Sequence, residues 1–361
     1  MRRFLRFLAL GLAIGIGAFA ALSLPAEAAA KKTFKIGYSV YVGFEPLEWL
    51  KSSGTMKRWA DKYGIEVEIV QINDYVAGIN QFIAGDLDAF AMANMDQLVM
   101  PAAGGVDTSL FLIGDYSNGN DAIVSKTAKS VKELEGKDIF LLQYSVSHYL
   151  LNRALIINGM KGVGAVKTTN ISDAEISAAF ISQPQMEHAV SWKPMIPDML
   201  KGAQGSKIIF DSSQIPGEIM DVFVAKTETL KDNPDFGKAF TGAWYEALGH
   251  LKEGGAKADE VKSVMAAALN TDEAGLKTQM DTTHFFLSPV EAHAFLTAAK
   301  TKEIWNYVRT FCFEQGLYGQ GADSVDAIGI QMSDGSVLGS EKNIRIRIDP
   351  TFTKLAADGK L

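Results

Sequence analysis

From Lys32 onward, short runs rich in Val, Ile, Phe and Ala alternate with longer amphipathic stretches that end at glycine. This alternation constrains the fold more than any other feature. Parallel strands need a crossover long enough to hold a helix, and repeated βαβ units build a mostly parallel sheet. Strands are expected over 34–40, 65–71, 89–93 and 109–113, with helices over 46–63, 75–84 and 95–103. Asp74 is placed to cap the second of these helices and Gly85 to close it. The pattern then restarts. Strands over 122–125, 138–142, 166–169, 187–192 and 207–210 alternate with a helical turn over 131–134 and helices over 147–158, 173–181 and 195–200. The run 219–225 reads as a strand returning to the first group, and from there the chain is expected to be mostly helical. Asn233-Pro234 starts a helix whose Phe236, Phe240, Ala243, Trp244, Ala247 and Leu251 fall on one face as core.

The expected architecture is α/β with two lobes, 31–120 with 218–361 and 121–217, and the helical C-terminal region packed on the first lobe. A chain of 361 residues, 47 % of them hydrophobic, can fill two such cores. The two crossings between lobes, near 118–121 and 215–218, can work as a hinge. Ligands of such sheets sit beyond the carboxyl ends of the strands, where loops of both lobes meet.

Before this pattern begins, Arg2, Arg3 and Arg6 precede an apolar run from Leu8 to Leu24, and Ala26-Glu27-Ala28 and Ala28-Ala29-Ala30 offer small-residue cleavage sites. Residues 1–30 read as a cleaved secretory signal. The run approaches the length of a membrane anchor, but Gly and Ala dilute it and Pro25 ends it. The net charge of -7 is spread without a block of Lys or Arg, which argues against a nucleic-acid partner. One cysteine, Cys312, excludes an intramolecular disulfide and a cysteine-only metal site, and beside Phe311 and Phe313 it reads as a small buried hydrophobe. An exported chain without disulfides fits a bacterial periplasm.

No catalytic signature is found: there is no GxSxG, no HExxH and no P-loop, and the five histidines never fall at the spacing of two ligands on one helical turn. Gly162-Val163-Gly164 lacks the strand-turn-helix context of a dinucleotide site. No motif calls for a cofactor or a metal.

Three segments carry a family resemblance. Ile83-Ala84-Gly85-Asp86-Leu87-Asp88-Ala89, Val131-Lys132-Glu133-Leu134-Glu135-Gly136-Lys137 and Ala189-Val190-Ser191-Trp192-Lys193-Pro194 resemble, in order, signatures of periplasmic solute-binding proteins of the nitrate, sulfonate and taurine importer type. The stretch Phe44-Glu45-Pro46-Leu47-Glu48-Trp49-Leu50-Lys51, with Asn94-Met95-Asp96 and Gly114-Asp115-Tyr116-Ser117-Asn118-Gly119-Asn120-Asp121, is similar to a subgroup regarded as urea importers and associated with urea carboxylase. The resemblance implies a two-lobed type II periplasmic binding protein and a ligand of urea or guanidinium shape. It also implies an ABC permease with its ATPase subunit as partners, and contact with the membrane only through the permease.

The residues speak separately to the ligand's charge. Oxoanion sites are commonly built from Arg forks, Lys or helix N-termini. The five arginines after residue 30 fall in expected helices (Arg58, Arg153, Arg309) or in the tail (Arg345, Arg347), none in a mouth loop. Carboxylates do occupy those loops: Glu45, Asp96, Asp121, Glu218 and Asp221, accompanied by Tyr41, Phe44 and Trp192. A planar cation needs carboxylates in its plane and aromatic faces above and below. Asn94 and Ser145 complete the candidate set. Simpler roles compete: Asp96 also suits a helix N-terminus, Ser145 and Ser147 a helix cap, and His148 a surface position. Lys193 is the nearby cation; pointing into the cleft, it would favour an anion.

The expected function is capture of guanidinium or urea by a monomeric binding protein through hinge closure. The alternatives are a sulfonate, taurine-like or other small oxoanion as ligand and, from another class, an enzyme like the pyrimidine-precursor synthases of thiamine biosynthesis. Those synthases rely on a cysteine-rich motif that a lone Cys312 does not supply.

Overall fold

The structure is a computed structural model that describes residues 31–361, and the expected signal segment lies outside the described residues. β1 (Thr33–Tyr38), β2 (Glu66–Gln71), β3 (Ala89–Ala93) and β4 (Thr108–Ser117) begin a larger sheet. A smaller sheet follows, with β5 (Ala122–Ser125), β6 (Asp138–Leu141), β7 (Lys167–Asn170), β8 (His188–Ser191) and β9 (Lys207–Asp211) in the order β7-β6-β8-β5-β9. β10 (Met220–Lys226) then returns to the larger sheet and inserts between β3 and β4. β11 (Thr283–Phe285), β12 (Gly329–Gln331), β13 (Val337–Leu338) and β14 (Ile344–Ile348) extend that sheet.

Both sheets are mixed rather than mostly parallel. β1 runs parallel to β2 and β3, and β6 to β7 and β8. The two strands that enter directly from the other sheet run against their neighbours: β5 against β8 and β9, β10 against β3 and β4. Neither entry carries the crossover helix that a parallel connection requires. The consequence is positional. The first residues of β5 and β10 lie beside the last residues of their neighbours, Ala122 opposite Ser191 and Asp221 opposite Ala93. The two crossings are themselves tied together, Ser117 Oγ to Ser212 Oγ at 2.7 Å and Gly119 N–H to Ser212 Oγ at 2.7 Å.

Local sequence explains several helix boundaries. Asp74 accepts a hydrogen bond from Ala77 N–H at 2.8 Å, and Gly85, at φ 93°, closes the helix Tyr75–Ala84. The helix expected over 46–63 is instead two, Pro46–Ser52 and Thr55–Lys62, because Gly54 takes a left-handed conformation at φ 75°. The helix expected over 95–103 begins as Asn94–Gln97 and widens into a π-helical turn, Leu98–Ala102, around Pro101, which has no N–H to give an α-helical bond.

The C-terminal region is mostly helical through Glu314, interrupted by β11, and then adds β12 to β14; the sequence reading did not expect these strands. β14 alternates Ile344-Arg345-Ile346-Arg347-Ile348: Ile346 and Ile348 are buried, while Arg345 reaches the Gly105 carbonyl at 2.9 Å and Arg347 pairs with Asp107. Helix Pro234–Glu253 lies on the larger sheet. Its Phe236, Phe240, Ala243, Trp244 and Ala247 are fully buried and Leu251 partly so. Phe236 stacks on Phe34 of β1 at 4.7 Å, and Trp244 packs edge-on against Phe223 of β10 at 4.7 Å. Each such ring contributes about 1.5–3 kcal/mol by burial, so the helix fixes the strand that carries Asp221. Cys312 is buried in the same way. No helix of the described residues is long and apolar enough to cross a membrane.

Candidate functional site

A cavity of about 200 Å³ lies where the strand ends of the two sheets meet. The larger sheet supplies Tyr41 and Phe44 after β1, Asp96 after β3 and Asp221 near the start of β10; the smaller supplies Asp121 before β5, Ser145 after β6 and Trp192 after β8. These seven sequence candidates line one space. The reversed strands explain two of them: Asp121 and Asp221 face the cavity because β5 and β10 begin at the end where the parallel strands finish.

Three candidates stand outside the lining. Glu45 is wholly buried at the start of helix Pro46–Ser52, where burial pushes its carboxyl up to about 8. Asn94 bridges β3 to the second crossing, donating to the Glu218 carbonyl at 3.3 Å and accepting from Met220 N–H at 3.2 Å. Glu218 is held by the Arg153 guanidinium in a two-pronged pair, at 2.7 and 2.9 Å, and accepts from Tyr149 OH at 2.5 Å. Its carboxylate is already occupied.

The sequence reading missed Tyr75, Asp173, Val146 and Met195, which also line the cavity. The signal was present: Tyr75 and Asp173 each open the helix that follows a strand, the same rule that located Asp96. Tyr75 OH donates to Asp96 Oδ2 at 2.7 Å and accepts from Ala93 N–H at 2.9 Å, so it fixes the carboxylate against the end of β3. Ser145 has two roles, since its hydroxyl caps the helix Val146–Ile157 at the cavity wall, accepting from Ser147 N–H at 3.2 Å.

The wall is acidic. Asp96, Asp121, Asp173 and Asp221 line it, with no Lys, Arg or His among the described lining residues. Burial pushes Asp96 up to about 7 and Asp121 up to about 6, and raises Asp173. Burial raises Asp221 well above the usual carboxylate range, and Asp115, opposite it in the β10–β4 register, adds to this because two buried carboxylates so placed disfavour double ionisation. Tyr41 OH donates to Asp115 Oδ1 at 3.0 Å, tying the pair to the loop after β1. Asp121 keeps one buried carboxylate oxygen without a hydrogen-bond partner.

Four cations outside the lining are engaged with other groups. Lys193 turns its ammonium to Thr282 Oγ1 at 2.7 Å, Arg153 holds Glu218, Arg58 pairs with Glu246, and Arg309 with Asp326. A helix N-terminus offers about half a positive charge, but Asp96 and Asp173 already stand in the first turns of two helices that face the cavity. Helix Val146–Ile157 opens on the same wall with no acid in its first turn, so an anion would find that one terminus among four carboxylates. Among the described residues, no group of three or more His, Cys, Asp or Glu is arranged to hold a metal ion. The carboxylates surround a space wider than one ion.

Two sheets, two crossings and a cleft at the strand ends define the two-lobed periplasmic binding protein fold of type II. Within that class the chain belongs to the NMT1-like family, which matches residues 27–269. It is similar to the taurine-binding periplasmic protein of Escherichia coli (strain K12), at 25 % identity over 207 residues, 56 % of this chain and 62 % of that protein. The match thus spans less than two thirds of that relative's length. Among solved structures, the alkanesulfonate-binding protein of Xanthomonas axonopodis pv. citri bound to MOPS superposes with a TM-score of 0.65 at 16 % identity, over 81 % of this chain and 96 % of that chain. The periplasmic aliphatic sulphonate binding protein of Escherichia coli gives 0.64 at 17 % identity, over 80 % and 89 %.

Proposed function

We propose that this chain is the substrate-binding protein of an ABC importer, a binder and not an enzyme, and that it works in the periplasm. Its cleft captures a small planar nitrogen cation, guanidinium, ahead of neutral urea. The importer class is supported by the family and by the likeness to proteins named for taurine and sulfonates. The ligand reading rests on one observation: four carboxylates and no basic side chain line the cavity. Buried carboxylates without a counter-ion are costly, and a guanidinium supplies both the charge and in-plane N–H donors. The rings of Trp192, Tyr41 and Phe44 offer faces for the ion. Closure about the two crossings brings Asp121, Ser145 and Trp192 over Asp96 and Asp221, and the closed form is the one a permease recognises.

The one feature that suits a sulfonate is the N-terminus of helix Val146–Ile157, set against four carboxylates and no basic side chain. The thiol of Cys312 is buried in the core, held protonated by burial, and does not line the cavity. The test is calorimetric titration with guanidinium, urea and taurine. At a ceiling of about -1.5 kcal/mol per non-hydrogen atom, guanidinium reaches a Kd of roughly tens of micromolar. Urea is expected to bind more weakly and taurine not at all. Tighter binding of urea or taurine than of guanidinium overturns the reading.

A further inference from the structure

A second cavity, of about 310 Å³, adjoins the first beside the loop that follows β6, and the two share Tyr75, Asp96 and Ser145. Beyond those three its wall is apolar: Val76, Val99, Met100, Leu142, Leu317 and the Tyr144 ring. The one other polar side chain there, Gln143, is engaged within the smaller sheet, its amide donating to the Thr168 carbonyl at 3.2 Å and Oγ1 at 2.9 Å. Asp96, at the junction, is the lone charged residue of the lining.

Two further features mark this space. Val76 and Tyr144 are large apolar side chains left 37 % and 55 % exposed at its edge. Tyr144 also holds a left-handed backbone at φ 69°, a conformation that costs a bulky residue energy and clusters at ligand clamps.

We propose that the preferred cargo is a guanidinium carrying an alkyl substituent, with its planar head among the carboxylates of the main cavity and its chain passing Asp96 into the apolar side cavity. This inference rests on the cation reading of the cleft and deepens it. Bare guanidinium, with four non-hydrogen atoms, leaves the side cavity to water against six apolar side chains. A polar tail finds few partners there, since Gln143 Nε2, Tyr75 OH and Ser145 Oγ already donate within the protein. A tail ending in a second ammonium finds no carboxylate of its own, because Asp96 serves the head.

The test is titration of the purified chain with guanidinium, butylguanidine and 4-aminobutylguanidine. Each buried methylene raises affinity about fourfold, so butylguanidine, with two to four of its alkyl carbons buried, is expected to bind about tenfold to two-hundredfold more tightly than guanidinium. 4-Aminobutylguanidine is expected to gain little. Val76→Asp places a carboxylate at the edge of the side cavity, in the first turn of helix Tyr75–Ala84 where an acid suits the helix. In that variant 4-aminobutylguanidine becomes the tighter of the two substituted probes. Butylguanidine no tighter than guanidinium overturns the inference while leaving the cation reading intact, and so does a Val76→Asp variant that keeps the original ranking. Failure of all three cations to bind, with taurine binding instead, overturns the cation reading itself.

Discussion

Glu218 and Asp121 sit at the two chain crossings, both nearly out of solvent, yet they stand in opposite electrostatic conditions. Glu218 has Arg153 and Tyr149 on its oxygens. Asp121, with Asp96 and Asp221 along the same wall, has no cation of the protein's own. A buried acid with a built-in partner joins parts of the molecule, here the helix Val146–Ile157 to the second crossing. A buried acid without one is held at a cost that a cationic ligand can remove.

The largest effect that would break this contrast is at the hinge. Arg153→Met leaves Glu218 buried and unpaired and is expected to lower unfolding stability by about 4 kcal/mol in chemical denaturation. A loss under about 1 kcal/mol would show that water already screens Glu218. Next comes Asp121→Asn, expected to weaken guanidinium by about 3 kcal/mol, on the order of a hundredfold, in calorimetry. Its unliganded melt should not fall, since the variant removes an unpaired buried acid. Lowered stability with unchanged affinity would move Asp121 to the scaffold.

Trp192→Ala is expected to cost roughly 1 to 2 kcal/mol, and to weaken guanidinium more than urea because only the cation gains from the ring face. A lowered melting temperature with an unchanged ratio of the two affinities would make Trp192 a plug between lobes. The pH dependence has a comparable size. Asp121 and Asp96 are raised to about 6 and about 7, above their unfolded values, so their contribution to unliganded stability falls as pH rises from about 4 to 7. Binding of a cation needs them ionised, so guanidinium affinity rises over the same window, about tenfold between pH 5 and 7. An anionic ligand would give the reverse slope.

The smallest effect on binding is at Glu45, already protonated at pH 7 with its carboxyl raised to about 8. Glu45→Gln is expected to leave guanidinium affinity unchanged and to raise stability at pH 7 by about 1 to 3 kcal/mol, since the fold no longer has to protonate a buried acid. As pH rises from about 4.5 to 8 the wild type loses stability, because the unfolded chain ionises Glu45 while the fold keeps it protonated, and the variant does not. A drop in affinity would bring Glu45 into the ligand shell.

Much of this was legible in the chain itself. Asp74 and Gly85 bound a helix through contacts no more than a few residues away, and the stripe from Phe236 to Ala247 is a helical period that any apolar surface would bury. The rule that ligands meet strand ends led to Tyr41, Phe44, Asp96, Asp121, Ser145, Trp192 and Asp221, all of which line the cavity. The alternation in Ile344-Arg345-Ile346-Arg347-Ile348 was equally open to reading and announces β14.

What the chain determined by itself is what short-range physics controls: periodicity, caps, breaks at Gly54 and Pro101, and the acids placed in loops. Only the tertiary structure decided which of those acids keeps a cation. Arg153 reaches Glu218 across 65 residues of sequence, Lys193 finds Thr282 across 89, and Asp221 meets Asp115 through the register of an inserted, reversed strand. Charge pairing and burial depend on which distant surfaces come together. A side chain's type is fixed locally, but the field it sits in is set by neighbours that only the folded chain supplies.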